Sequence, residues 1–371
     1  MANHPYYMQQ ALQQARLAWG LSKPNPAVGC VLVRDGVLVG QGHTQEVGSA
    51  HAEVMALRQA GIKAQGATAY VTLEPCSHYG RTPPCSQGLI DADVETVVYG
   101  CEDPNPLVAG QGLQQLKDAG IKVLGPVLAA ECAALNPGFM HAMASGQPYV
   151  FSKLASSLDG RTAMASGESQ WITGAAARAQ VHLLRAQSCA LITGIGSILA
   201  DDPSMTCRQP ELQMAGVGSE LWPRIKQPLR VILDSQLRSP LSAKIFQLSG
   251  PVLLVTCVAD VSLHQPYMDL GAEVAVVPAQ AGKVDLTATI AMLGERGCQQ
   301  IMLEAGAGLN ASFLQAGLLH GLKLFMAPKL LGAGGKPLLA QHIEQLQDAW
   351  QLAFSQVESV GEDLLLSLDL S

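Results

Sequence analysis

Residues 73–85 read Leu73-Glu74-Pro75-Cys76-Ser77-His78-Tyr79-Gly80-Arg81-Thr82-Pro83-Pro84-Cys85. Ala69–Leu73, which leads into this run, reads as a strand, and Ser86–Ala92, which leaves it, has a helical pattern. Pro84 suits a helix start, where a missing N–H leaves no bond unmade. A cysteine thus stands at each end of a strand-to-helix turn. Upstream, Val28–Val33 reads as a buried strand, Arg34-Asp35-Gly36 as a hairpin turn and Val37–Gly40 as its partner. An amphipathic helix over Tyr7–Trp19 precedes them and stops before Pro24 and Pro26. His51–Ala60 is helical. Downstream come an extended Thr96–Tyr99, a helical Gly112–Ala119, an extended Ile121–Leu124 and one long helix over Val127–Ala144. The alternation predicts an α/β fold with at least partly parallel strands.

The polar break Ser145-Gly146-Gln147-Pro148 follows that helix and marks a boundary between domains 1–146 and 147–371. At roughly 150 residues per domain, 371 residues suit two. The second domain is α/β as well. Strands are expected near Tyr149–Lys153, Ala190–Thr193, Leu229–Leu233, Val252–Thr256 and Gln300–Leu303, with helices near Ala175–Gln187, Val284–Arg296 and Leu309–Gln315. Gln209–Gly218 reads as a surface insertion.

Hydrophobic residues make up 48% of the chain and charged residues 14%, which is apolar enough for two cores and excludes a disordered chain. The net charge of −7 and the lack of a Lys/Arg-rich run argue against a nucleic-acid partner. The longest apolar runs fall short of a membrane span, and no secretory signal is visible. Nine cysteines, an odd number over a long chain, do not resemble a disulfide framework. The expectation is a cytoplasmic protein whose working cysteines bind metal or act as nucleophiles.

His51-Ala52-Glu53, Cys76 and Cys85 together supply that metal site. One imidazole and two thiolates hold zinc and leave a fourth position open, as catalytic zinc requires. Residues two apart on a helix face opposite ways, so His51 and Glu53 can share a metal only if His51 sits at the helix entry. Glu53 then hydrogen-bonds the metal's water without ligating zinc. Zinc brings that water's pKa towards ~7, and Glu53 carries its proton to a departing amine. The signature His-x-Glu…Pro-Cys-x-x-Cys belongs to hydrolytic deaminases of this kind, and the longer spacing of Cys76 and Cys85, nine apart, departs from it. A structural zinc is the blander alternative, weakened by a set of only three ligands with Glu53 beside it.

In the second half, Glu304-Ala305-Gly306-Ala307-Gly308-Leu309-Asn310 follows an apolar strand and precedes a helix. Small residues there let backbone N–H groups approach a pyrophosphate. The third fingerprint position is Ala311, and no acid lies between Leu309 and Ala340, so an NAD-type Rossmann domain is disfavoured.

The run Pro24-Asn25-Pro26-Ala27-Val28-Gly29, then His51-Ala52-Glu53, then residues 73–85 resembles the bifunctional riboflavin-biosynthesis deaminase/reductases. So do Lys153–Gly160, Ser169–Thr173, Thr193–Ser197 and Ala200–Thr206, and the resemblance covers nearly the whole chain. It implies a cytidine-deaminase-like three-layer domain followed by a dihydrofolate-reductase-like α/β domain. It also implies zinc deamination of 2,5-diamino-6-ribosylamino-4(3H)-pyrimidinone 5′-phosphate, and then NADPH reduction of the ribosyl group to ribityl. Carried over by motif, Asn25, His43, His78 and Arg81 line the first pocket. Ala155, Trp171, Ser197, Asp201, Ser235, Gly306, Ala307, Gly308, Leu309, Asn310, Ala311 and Ser312 hold NADPH. Ser169, Arg185, Met205, Arg208 and Glu304 hold the substrate, with Arg185 and Arg208 as phosphate anchors. The resemblance suggests a homodimer. The alternative is a nucleobase or nucleoside deaminase whose second domain is a non-catalytic ligand-binding or assembly module. Neither the reductase proton donor nor the residue that reads the NADPH 2′-phosphate is identifiable from the sequence.

Overall fold

Gly29 lets the first helix lie directly on the first strand: a Cβ there would stand 1.9 Å from the Ala11 carbonyl oxygen and 2.5 Å from the Ala15 nitrogen. The structure, a computed structural model, describes residues 3–78, 83–106 and 108–370. It divides into two units, Met1–Gln147 and Pro148–Ser371, one residue beyond the boundary expected at 146.

The first unit runs α1 (His4–Arg16), β1 (Gly29–Arg34), β2 (Val37–His43), α2 (Ala52–Ala60), β3 (Thr68–Leu73), α3 (Cys85–Asp91), β4 (Thr96–Cys101), α4 (Gln111–Asp118), β5 (Lys122–Leu124), α5 (Ala129–Ala133) and α6 (Pro137–Ser145). The sheet order is β2-β1-β3-β4-β5, with β1 antiparallel to both neighbours and β3, β4 and β5 parallel. Gly29 faces α1, whereas Gly42, which pairs with Cys30, faces Ala52 and Ala56 of α2. Successive residues of a strand point to opposite faces, so α1 and α2 cover opposite sides of the sheet. This is the expected three-layer α/β/α arrangement. Met8, Leu12, Leu32, Tyr70, Leu89 and Leu116 fill its core.

The long helix expected over Val127–Ala144 is instead two short ones, α5 and α6. Pro137 has no N–H to continue a helix. Asn136, just before it, turns its side chain away to bracket Ala27, accepting from its N–H at 2.7 Å and donating to its carbonyl at 2.9 Å.

The second unit runs β6 (Tyr149–Ser157), β7 (Arg161–Ala163), α7 (Ala175–Gln187), β8 (Ala190–Gly194), α8 (Ile195–Asp201), α9 (Gln209–Met214), β9 (Leu229–Leu233), α10 (Lys244–Gln247), β10 (Val252–Thr256), α11 (Gln265–Met268), β11 (Glu273–Val276), β12 (Ala279–Gln280), β13 (Lys283–Val284), α12 (Leu286–Glu295), β14 (Gln300–Leu303), α13 (Ala307–Gln315), β15 (Gly321–Ala327), β16 (Lys336–Pro337), β17 (Leu352–Val360) and β18 (Asp363–Leu370). The main sheet has the order β11-β10-β9-β8-β14-β6-β15-β18-β17. From β11 to β15 every pairing is parallel, and β18 and β17 close the sheet antiparallel. The parallel strands therefore end along one edge, where open α/β sheets place their ligands. Segment 209–218 is not merely a surface insertion. Its first part forms α9, whose Leu212 is buried. Among the described residues, no helix is long and apolar enough to cross a membrane.

Candidate active sites of the two units

In the first unit, β3 delivers Glu74-Pro75-Cys76 to the sheet edge, and α2 and α3 point their first turns at it. His51 is the extended N-cap residue of α2, with φ −77° and ψ 167°. Its side chain therefore leaves the helix on the same side as Glu53. Pro84 occupies the N-cap of α3, and Cys85 is the first helical residue. His51 Nδ1 lies 3.2 Å from Cys85 Sγ and 3.7 Å from Cys76 Sγ, and the three ligand atoms fall within 4.8 Å of one another. Tetrahedral zinc, with Zn–S near 2.3 Å and Zn–N near 2.0 Å, sets nitrogen and sulfur about 3.5 Å apart. The triangle fits the ion.

The surrounding bonds fix the ligands. The Cys85 N–H donates to Cys76 Sγ at 3.4 Å, and the Ser86 N–H donates to the Cys76 carbonyl at 3.1 Å. A hydrogen bond from Cys85, outweighing burial and helped by one with His51, lowers the Cys76 thiol and so favours the thiolate that binds metal. Glu53 is buried. Burial, with the Cys76 sulfur adding to it, pushes its carboxyl up to about 7. That is the range in which a carboxylate takes and returns a proton at neutral pH.

Asn25 is half-buried just before β1, His43 ends β2, and His78 is exposed near Asp103. Arg81 lies outside the described residues. Two acidic residues escaped the sequence reading. Asp103 is buried, raised by that burial, and close enough to feel Cys76 and His78. Glu74 accepts from the N–H groups of Asp103, Gly110, Gly112 and Leu113 at 3.0–3.4 Å. Its signal was an acid placed directly between a buried strand and a ligand.

In the second unit, a cleft of about 1740 Å³ opens along the edge where the parallel strands end. Glu304, just past β14, meets Arg185 of α7 in a two-pronged pair at 2.8 and 3.0 Å, and Lys153 of β6 stands 3.8 Å away. Burial would raise the Glu304 carboxyl, but Arg185 and Lys153 outweigh it and hold the group at about 2. The remaining Arg185 branch donates to the Thr206 carbonyl at 2.9 Å. Three of the five Arg185 N–H groups are thus committed, two to Glu304 and one to the Thr206 carbonyl, while Arg185 itself lines the cleft. Lys153 was not singled out beforehand, although a lysine inside an apolar strand is itself a signal. Burial lowers its pKa.

Ala155, Trp171, Ser197, Asp201, Ser235, Gly306 to Leu309 and Ser312 all face the cleft, as do Ser169, Met205 and Arg208. Asn310 and Ala311 do not: both are buried. The Asn310 side chain bonds Ser152 and the carbonyls of Ala305 and Gly306, which fixes the turn into α13 from beneath. Gly306 is the N-cap of α13, and a Cβ added at Gly306, Gly308 or Gly196 would meet nothing within 4 Å. Backbone N–H groups there face open cleft, as a pyrophosphate needs. The Thr193 hydroxyl, buried at the end of β8, has no hydrogen-bond partner. Trp171 is 61% exposed, with the Arg178 guanidinium 4.6 Å from its ring centre. These features suit a dinucleotide.

Residues 148–366 match the family described as the RibD C-terminal domain, and residues 1–101 match the cytidine and deoxycytidylate deaminase zinc-binding region. The riboflavin biosynthesis protein RibD of Escherichia coli is 46% identical over 364 residues, covering 98% of each chain. That of Haemophilus influenzae is 44% identical over 367 residues, covering 97% of this chain and 96% of the relative. Among solved structures, Acinetobacter baumannii RibD superposes with TM-score 0.86 at 44% identity over 99% of both chains. A diaminohydroxyphosphoribosylaminopyrimidine deaminase/5-amino-6-(5-phosphoribosylamino)uracil reductase from Thermotoga maritima superposes with TM-score 0.84 at 30% identity, again over 99% of both.

Proposed function

This chain belongs to the RibD family of riboflavin-biosynthesis deaminase/reductases, and from that premise we propose which residues carry each of its two reactions. The protein is a bifunctional enzyme that uses zinc in its deaminase domain and NADPH in its reductase domain, which has the dihydrofolate-reductase-like fold. Residues 1–146 are assigned the deamination of 2,5-diamino-6-ribosylamino-4(3H)-pyrimidinone 5′-phosphate. Residues 147–371 are assigned the reduction of the product's ribosyl group to ribityl. The observation that carries the reading is the His51, Cys76 and Cys85 triangle with buried Glu53 beside it.

His51, Cys76 and Cys85 hold the metal. Zinc, when bound, would supply an acidified water as the nucleophile for the carbon that loses ammonia. Glu53 accepts a proton on its carboxylate and returns it to the departing nitrogen. Asn25, His43 and His78 are assigned to the pyrimidine and its phosphate, Arg81 is assigned with them on its motif alone, and Asp103 joins the described three at the ligand side.

NADPH, when bound, supplies a hydride. Gly306 to Leu309 and Ser312, with Ser197 and Asp201, receive the cofactor, and Ala155 and Trp171 flank it. Asn310 and Ala311 support that turn from the core without touching the cofactor. Ser169, Met205 and Arg208 line the substrate side. Arg185 fixes Glu304, and Glu304 in turn orients the Lys153 ammonium. Lys153 is thus placed to hold or give a proton at a sugar oxygen.

The homodimer belongs to the same proposal. Edge strand β17 exposes Phe354 (66%) and Val357 (56%), with Leu346 (90%) just before it. A long apolar edge is a liability that a second copy would cover. A cytoplasmic setting suits nine cysteines that are all free.

Metal analysis and a two-channel assay test the assignment together. The expected result is one zinc per chain, with ammonia release from the diaminopyrimidinone phosphate followed by NADPH oxidation. Cys76→Ser and Cys85→Ser should each lose the metal and the ammonia; an active, fully metallated variant would refute the ligand set.

A further inference from the structure

The segment 204–208, which brings Met205 and Arg208 to the second unit's cleft, is gripped from several sides. Arg185 of α7 donates to the Thr206 carbonyl at 2.9 Å. The Gln227 side chain holds Cys207, accepting from its N–H at 2.8 Å and donating to its carbonyl at 3.0 Å. His182, on the same helix as Arg185, accepts at Nδ1 from the Arg208 N–H at 3.1 Å. Within this frame Met205 keeps a left-handed conformation at φ 50°. Such a conformation costs a residue other than glycine energy and persists where the surroundings fix it. The backbone on this side of the cleft is therefore set before any ligand arrives.

His182 has a second nitrogen to satisfy. A ring nitrogen that accepts a bond carries no proton, so the accepting Nδ1 makes the imidazole neutral and puts its one proton on Nε2. Burial, then Arg185 and Arg208, hold the group at about 4, in agreement with that state. Nε2 stands 3.3 Å from Arg208 Nη2, which is a donor as well, so neither nitrogen can serve the other. Glu211 Oε1 takes Arg208 Nη2 at 2.6 Å, while Glu211 Oε2 has no hydrogen-bond partner. Among the described residues nothing accepts from the His182 Nε2–H, although the residue is only 4% exposed. A buried donor left unmet is costly, and His182 lines the cleft. Its Nε2–H and the Arg208 guanidinium stand close enough to meet the oxygens of a single oxyanion.

We propose that the His182 Nε2–H, beside Arg208, is a further donor to the 5′-phosphate of the reductase substrate and helps the site select the phosphorylated ribosyl compound over the free riboside. The proposal rests on the reductase reading above. Its test uses the full-length protein at saturating NADPH and two readouts: kcat and KM for the deaminated aminouracil with its 5′-phosphate, and the inhibition constant of the same compound without it. His182→Asn keeps an acceptor where Nδ1 stood and removes the far donor. It should raise KM for the phosphorylated compound about tenfold, with kcat and the inhibition constant of the riboside held. His182→Gln places an amide nitrogen near the position of Nε2 and should recover most of that loss, even where the missing Nδ1 acceptor lowers its melting temperature. If His182→Asn does not fold, His182→Gln decides: a parent-like preference for the phosphorylated compound supports the proposal, and its loss overturns it. An unchanged KM in His182→Asn, or an equal weakening of both compounds, would also overturn it, as would a parent protein that binds the two compounds equally. A parent protein that oxidises no NADPH with the phosphorylated compound would instead overturn the reductase reading beneath it.

Discussion

Glu304 carries a charge that its surroundings both resist and require. Its pair with Arg185 links positions 119 residues apart in the chain, so no local pattern in the sequence could reveal it. Removing one member of a buried pair leaves the other unpaired, so Glu304→Gln should destabilise the second unit by on the order of 3 kcal/mol at pH 7. The folded carboxyl sits at about 2, below its unfolded value near ~4.3. Its contribution is therefore complete above the unfolded value and lost as pH falls through about 2. Thermal melts of parent and variant should converge between pH 5 and pH 2, and a constant gap would contradict the assignment. His182 acts in the same direction. Burial, then Arg185 and Arg208, hold it at about 4. It is neutral in the fold, and its share of stability fades as pH drops from about 6.5 towards that value.

Glu74 fastens one element to another. A single carboxylate accepts four backbone N–H groups from the segment that runs into α4, and the rigid Pro75 passes that position to Cys76. Outer-shell partners of metal ligands typically govern affinity by roughly 10–100-fold. Glu74→Gln should weaken zinc by a factor in that range, read by chelator competition, while the circular dichroism of the fold is kept. Gly29→Ala tests the α1–β1 contact. A Cβ 1.9 Å from a helix carbonyl cannot be accommodated without moving α1, and should cost roughly 3 kcal/mol in denaturant unfolding. The elements legible in the sequence were those with a strong local period. α7, β9 and β10 fall where their apolar spacing put them. β17 was not legible because its residues are exposed almost throughout, so its alternation does not follow burial. The break between α5 and α6 was written in Pro137, and the helical pattern on either side obscured it. In the metal site the residue types and their order were readable. Glu74, Asp103 and Lys153 were not, because their roles come from neighbours brought close by the sheet.

At the scale of the whole molecule, the two reactions are assigned to separate units, each with its own acid, its own cations and its own ligand. The exposed edge at β17 belongs to this scale too. Phe354→Asp with Val357→Asp should convert a homodimer to a monomer in light scattering, and a parent protein that is already monomeric would remove the dimer from the account. The central claim is that Glu53, beside the three-ligand site, moves the proton of the first reaction and has no part in the second. The direct measurement is Glu53→Gln in the full-length protein, with zinc content, ammonia and NADPH followed separately. The account predicts parent-like zinc, no ammonia from the diaminopyrimidinone phosphate, and NADPH oxidation retained when the deaminated aminouracil is supplied. Ammonia release at the parent rate with zinc in place would contradict it.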